Sequence, residues 1–310
     1  MIKEFPVISY KLKDEDPVLF SNTLGESFKD IGFCSISDHP IDTNLINEII
    51  HSFGSFFELS EETKLRYLLK GQGGARGYTP FKIETAKDSN LPDLKEFWHT
   101  GRELPSGHHY EKWMLPNIWI KELPELKDLT LELYSQFDQL GKSLLGSLAL
   151  YLKLDEKYFD DVTNLGNSVM RTIHYPKVNI NEDGERAGAH EDINLITLLI
   201  GGHQPGLEIK LKDGKWLPVE SKRDTIVCNV GDMLQRLCNH QLVSTTHRVV
   251  ATKDTCNESR YSIPFFVHPN PDWYIETLNT CITKDNPNRY PEGILAEDYL
   301  RQRLEEIKLI

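Results

Sequence analysis

From about Val169 to Val267 the chain breaks into short apolar, β-branched runs, each bounded by Gly, Asp, Asn or Pro. Runs of that length between turn residues are strands rather than helices. Asp213-Gly214 and Asn229 to Asp232 are the most secure turns. Many short strands of this kind fold as two packed antiparallel sheets, so the stretch predicts a jelly roll, two four-stranded sheets closing around a pocket. The mouth of such a barrel is a natural ligand site.

Within that stretch stands His190-Glu191-Asp192, with His247 far downstream. Alternate residues of an extended strand share a face, so His190 and Asp192 are expected to grip one ion together while Glu191 points away. Bringing His247 to the same ion requires a second strand beside the first. Two imidazoles and one carboxylate are the ligand set of a mononuclear non-haem Fe(II) centre, and three protein ligands on an octahedral ion leave positions open for reaction. Arg260-Tyr261-Ser262 repeats the alternation at the start of an aromatic, β-branched run that reads as a buried strand. Arg260 and Ser262 then share a face. A guanidinium offers a planar fork that fits a carboxylate, and a buried one needs an anion. A strand-edge Arg reaching solvent beside an outward Ser is the plain alternative. Next to the metal set, a carboxylate-bearing co-substrate explains the pair better.

Here the sequence resembles the isopenicillin N synthase-like family of Fe(II)- and 2-oxoglutarate-dependent oxygenases, through nearly its whole length. His190 to Leu199 looks like the family's first metal-ligand strand, and Gly206 to Val219 like the hairpin after it. Asn229-Val230-Gly231-Asp232 is similar to the family's Asn-x-Gly-Asp turn. Asn239, Ser244, His247, Arg248 and Val249 match the run around the distal histidine, and His174-Tyr175-Pro176 resembles the Tyr-Pro segment. The resemblance implies that His190, Asp192 and His247 ligate iron. It also implies that Arg260 and Ser262, with Tyr175, bind 2-oxoglutarate, and that O2 is the oxidant. The product chemistry implied is hydroxylation, desaturation or cyclisation of a small molecule, with release of succinate and CO2. Two alternatives stay open at this point: an iron oxidase of the isopenicillin N synthase type without 2-oxoglutarate, and a non-catalytic jelly-roll metal binder. Two departures are visible. The Lys253 to Ser259 stretch places Arg-x-Ser further from His247 than in plant members, and Ser9 stands where many relatives carry Asp.

The fold class implied is mainly β with flanking helices: a double-stranded β-helix core, with an N-terminal helical and strand region and a C-terminal helix packed on it. The expected division is 4–120, an N-terminal dioxygenase region, and 121–164, a long helix and connector. Residues 165–270 would be the jelly-roll core and 271–310 a helical closure. Helices are expected at about Pro17 to Asp30, Thr43 to Leu59, Glu125 to Leu154 and Ala296 to Lys308, the second and third with clear apolar stripes. The Gly-rich run from Gly71 to Tyr78 lacks the partners of a phosphate cradle and reads as a mobile loop. Tyr78, Phe97, Trp98, His99 and Phe266 are candidates for lining the mouth; the other histidines receive no role.

With 35 basic against 47 acidic residues the net charge is −12, spread along the chain, which argues against a nucleic-acid partner. Five scattered cysteines without a Cys-x-x-Cys pair suit reduced thiols in a cytoplasm. No apolar run is long enough to span a membrane, and Met1 to Glu4 does not open a signal peptide. A small-molecule substrate and a cytoplasmic location are the expectations; oligomeric state has no signature.

Overall fold

A computed structural model describes residues 5–72, 74–85, 91–179, 185–202, 204–251 and 255–306. In chain order its main strands are β1 (Val7–Ser9), β2 (Phe33–Ser37), β3 (Gly77–Thr79), β4 (Glu96–Gly101), β5 (Val169–Tyr175) and β6 (Ala187–His190). They continue with β7 (Ile196–Ile200), β8 (Leu207–Lys210), β9 (Trp216–Pro218), β10 (Ile226–Val230), β11 (His247–Val249) and β12 (Arg260–Val267). Four of them form a small sheet in the order β6-β11-β8-β9. The other eight form a large sheet in the order β1-β2-β10-β7-β12-β5-β4-β3.

The small sheet and the inner strands β10, β7, β12 and β5 are the two four-stranded layers expected of the jelly roll. The large sheet nevertheless has twice the expected width, because N-terminal strands join both of its edges. β2 pairs with β10 through Cys34↔Cys228, and β4 pairs with β5 through Phe97↔Ile173 and His99↔Arg171. The N-terminal region therefore builds barrel wall as well as packing against it.

Alternation decides what each added residue does. Phe97, Ile173 and Tyr175 turn inward and join Ala187, Leu207, Ile209 and Val249 of the small sheet in one apolar cluster. Their neighbours turn outward onto the helix Thr43–Phe57, where Phe56 meets the rings of Tyr78 and Trp98 at 5.7 and 5.3 Å. Asp42 caps that helix, accepting a hydrogen bond from the Asn44 amide. The long helix Leu126–Tyr151 covers the same outer face, with Phe137 stacked on Phe265 at 5.1 Å. Gly141 permits this approach, since a Cβ there would lie 2.9 Å from Val267.

Helix ends fall close to expectation: Pro17–Asp30 as read, and the second helix closing at Phe57. The final helix is described over Ala296–Glu306; Lys308 lies outside the described residues, as do Met1 to Glu4, Gly73, His203, Lys253 and Asp254. Among the described residues no helix is long and apolar enough to cross a membrane. All five cysteines are buried and unbridged.

Candidate metal centre

β6 and β11 run antiparallel with His247 directly opposite His190, as the two-strand argument requires. Strand alternation does not place Asp192, however. β6 ends at His190, and Asp192 lies in the connection to β7. What holds it is the Asn-x-Gly-Asp segment, which is not the turn expected: β10 ends at Val230, Gly231 caps the helix Asp232–Leu237, and the Gly231 and Asp232 amides read the backbone of that connection. The Asp232 amide donates to the Asp192 carbonyl at 2.7 Å, and the Gly231 amide donates to Leu195 at 2.9 Å. Gly231 is required by closeness, because a Cβ would sit 2.2 Å from the Asn194 carbonyl oxygen. The outcome is a tight triangle. Asp192 Oδ1 is 3.8 Å from His190 Nε2 and 3.9 Å from His247 Nε2, and all three ligand atoms lie within 4.8 Å of one another.

The remaining atoms of each side chain are already engaged. His190 Nδ1 is 2.7 Å from the Gly188 carbonyl, and His247 Nδ1 is 3.1 Å from the Thr245 carbonyl. A carbonyl only accepts, so both Nδ1 atoms carry the proton and both Nε2 lone pairs face the centre. Asp192 Oδ2 accepts from Thr197 Oγ1 at 2.6 Å and from Asn229 Nδ2 at 2.7 Å, which leaves Oδ1 for the centre. Burial alone would raise the Asp192 carboxyl, but His247, His190 and these two donors together hold it below its ordinary range. One edge of the His190 ring is exposed at the mouth. Its surroundings still withhold enough solvent, with His247 adding to the effect, to push it down to about 4, so the ring is neutral at neutral pH. Three ligand atoms converging in this way suit a divalent cation, and the N2O set suits Fe(II).

Arg260 stands opposite Tyr175 in the β12/β5 ladder, and Ser262 alternates onto the same face. The Arg260 guanidinium is buried, lies 5.5 Å from the Tyr175 ring, and donates to the carbonyls of Pro205 at 3.2 Å and Gly201 at 3.4 Å. Its Nε finds no partner, and among the described residues no carboxylate comes within ion-pair distance. Burial pushes this guanidinium below its usual range. Such a cation calls for an anion in the same space.

Of the five mouth candidates, Phe97, His99 and Phe266 lie on the inner face, whereas Tyr78 and Trp98 belong to the outer aromatic packing. The reading from sequence also missed Arg171. Its guanidinium lies 4.1 Å from the Phe97 ring centre and 5.6 Å from that of Phe266. Arg171 Nε donates to His99 Nε2 at 2.5 Å, and Nη1 donates to Glu84 at 3.0 Å. His99 Nδ1 meets the Gly74 carbonyl, and burial holds the ring well below its ordinary range, hence neutral. Glu84 continues through Lys95 to Asp93, whose Oδ1 accepts from the Gly188 amide on β6. Counting in twos back from Tyr175 along β5 reaches Arg171, so alternation was the available signal. His174 faces outward as expected, stacked on Phe57 and Tyr261 and bound to Glu96 at 2.8 Å.

A jelly roll with two imidazoles and a carboxylate converging at its mouth defines a non-haem iron oxidoreductase. Residues 5–122 match the N-terminal region of the non-haem dioxygenases of morphine synthesis, and residues 166–269 match the 2OG-Fe(II) oxygenase superfamily. A 2-oxoglutarate-Fe(II) type oxidoreductase of Emericella nidulans, hxnY, is 32% identical over 89% of this chain and 81% of its own. A Caulobacter crescentus protein solved as a 2OG-Fe(II) oxygenase family member superposes with a TM-score of 0.92 at 45% identity, covering 98% of this chain and 99% of that one. A Neurospora crassa enzyme solved with alpha-KG and thymine has a TM-score of 0.85 at 29% identity, over 97% and 96%. The chain belongs to the 2-oxoglutarate-Fe(II) oxygenase superfamily. It is an oxidoreductase that uses Fe(II), 2-oxoglutarate and O2 on a small molecule still to be identified.

Proposed function

We propose that His190, Asp192 and His247 hold the Fe(II), and that Arg260 and Ser262 receive the far carboxylate of 2-oxoglutarate against Tyr175. The observation that carries this reading is the committed state of every other polar atom in the triad: both imidazole Nδ1 atoms and Asp192 Oδ2 are bound elsewhere, leaving three acceptors aimed at one point. The iron, with 2-oxoglutarate and O2, supplies the oxidising chemistry and yields succinate and CO2. The protein's part is orientation and exclusion of water. Arg260 fixes one end of the co-substrate, so that the opposite end is presented toward the triad. Arg171 then meets the substrate. His99 and Glu84 take its Nε and Nη1, the two phenyl rings hold its plane, and the rest of its fork is left for a carboxylate or carbonyl oxygen. The substrate class proposed is a small, flat or compact molecule bearing such an oxygen. Thymine, which the Neurospora crassa relative binds, is of that class and is the first compound to assay.

Anaerobic titration of the Fe(II)-loaded protein with 2-oxoglutarate tests the co-substrate half. A saturable visible charge-transfer band is expected, and Arg260→Ala should need far more 2-oxoglutarate to develop it. A band that saturates equally in that variant contradicts the Arg260 role. Arg171→Met should raise KM for the substrate while leaving the 2-oxoglutarate titration unchanged; the reverse pattern removes Arg171 from the substrate side.

A further inference from the structure

Arg186 immediately precedes β6 and is 1% exposed, one of the largest fully buried side chains. Its Nη2 donates to the carbonyls of Thr255 at 2.9 Å and Glu258 at 2.8 Å. Its Nε is buried without a partner. Among the described residues no carboxylate lies within ion-pair distance of it. The carbonyls it grips belong to the lengthened connection that leads straight into Arg260. At its other end, β6 finishes in His190. One side chain thus ties the strand of a metal ligand to the loop that delivers the co-substrate arginine.

Tyr175 lies 5.5 Å from the Arg260 guanidinium and acts electrostatically on Arg186 as well. Burial pushes both guanidiniums below their usual range, and the Arg186 charge lowers Arg260 further. Two buried like charges that repel each other and, among the described residues, hydrogen-bond only to backbone carbonyls are unfavourable until an anion joins them.

We propose that Arg186 is a positioning residue for 2-oxoglutarate: it fixes the loop that aims Arg260 and adds a second buried positive charge to the pocket for the far carboxylate. This rests on the reading that Arg260 binds that carboxylate.

The test compares two probes on the iron-loaded protein without O2: 2-oxoglutarate, and 2-oxobutanoate, which lacks the far carboxylate. Arg186→Gln should weaken 2-oxoglutarate binding by about tenfold or more. Its 2-oxobutanoate binding and its Fe(II) affinity should stay within about twofold of the parent, since neither involves the pocket's charge. Arg186→Lys, which keeps the charge but not the two-carbonyl grip, should recover part of the loss and carries the same comparison if the Gln variant does not fold. Unchanged 2-oxoglutarate binding, or an equal loss for both probes, overturns the proposal. Arg260→Gln separates the two layers of inference. A loss there with none in Arg186→Gln sinks the Arg186 role alone, whereas no loss in either sinks the Arg260 assignment beneath it.

Discussion

Thr197→Val removes one atom's chemistry from the metal site while leaving its shape in place. The Thr197 hydroxyl donates to Asp192 Oδ2 at 2.6 Å, both residues being buried, and Asn229 donates to the same oxygen at 2.7 Å. Valine matches threonine in volume, so no cavity opens. What is lost is the hydrogen bond to a buried carboxylate, worth about 1.5–3 kcal/mol, together with the hydroxyl's longer contact with the Asn194 amide at 3.1 Å. Among the described residues only Asn229 also donates to Asp192 Oδ2, and the Asn194 amide stays anchored on the Ile196 carbonyl. At ~1.4 kcal/mol per decade, the Fe(II) dissociation constant should rise about 10- to 100-fold, the range found for partners that orient metal ligands. The assay is anaerobic competition with a coloured chelator, alongside far-UV circular dichroism to show an intact fold. The 2-oxoglutarate affinity of protein saturated with iron should not move. A dissociation constant within twofold of the parent would refute the reasoning, since it would mean that Asp192 needs no anchoring from β7.

Other outcomes follow from the same geometry. His190→Ala should leave the purified protein without iron and without succinate release; stoichiometric iron in that variant contradicts its place in the ligand set. Gly231→Ala forces a methyl against the Asn194 carbonyl, 2.2 Å from the ideal Cβ, so a loss of about 1–3 kcal/mol in unfolding free energy and a weaker hold on Fe(II) are both expected. Glu96 carries a pH dependence. Burial favours its protonated form, but His174, Lys64 and Tyr78 outweigh this and lower the carboxyl below its ordinary value. A depressed carboxylate stabilises the fold above the ordinary Glu range, and that contribution is lost as pH falls through the depressed value. Glu96→Gln should therefore cost about 3 kcal/mol near pH 7, the Tm gap to the parent closing as pH falls below the ordinary Glu range. A gap independent of pH would show that the charge is not the cause.

The meeting of His190, Asp192 and His247 was legible in the sequence because few side chains suit a metal and their spacing demanded adjacent strands. The reason given for Asp192 was wrong, though it does lie beside the two histidines: the Gly231 and Asp232 amides, where β10 gives way to the helix Asp232–Leu237, bring it in, not the pleat of β6. The mouth was harder to read. Tyr78 and Trp98 look like pocket residues in a string of letters, yet the helix Thr43–Phe57 buries the outer face of the sheet as thoroughly as the barrel buries the inner one. When both faces are apolar, hydrophobicity no longer says which way a strand points. Arg171 and Arg186 were passed over for the converse reason, since a lone basic residue in a strand-rich stretch normally marks solvent. The doubled width of the large sheet rests on pairings such as His99↔Arg171, between partners too far apart in the chain for any local pattern to reveal.

His190 and His247 belong to the small sheet, whereas the donors that steady Asp192 come from β7 and β10 of the large one. An ion shared by these three ligands is therefore a cross-link between the two layers, closing the barrel at its open end. Binding to the folded chain alone adds stability by mass action, about 2.7 kcal/mol when free metal is a hundredfold above its dissociation constant. Iron supply would then set how long each molecule survives. In a cell short of iron the protein would be lost to proteolysis as well as idle, which makes its abundance a readout of metal status.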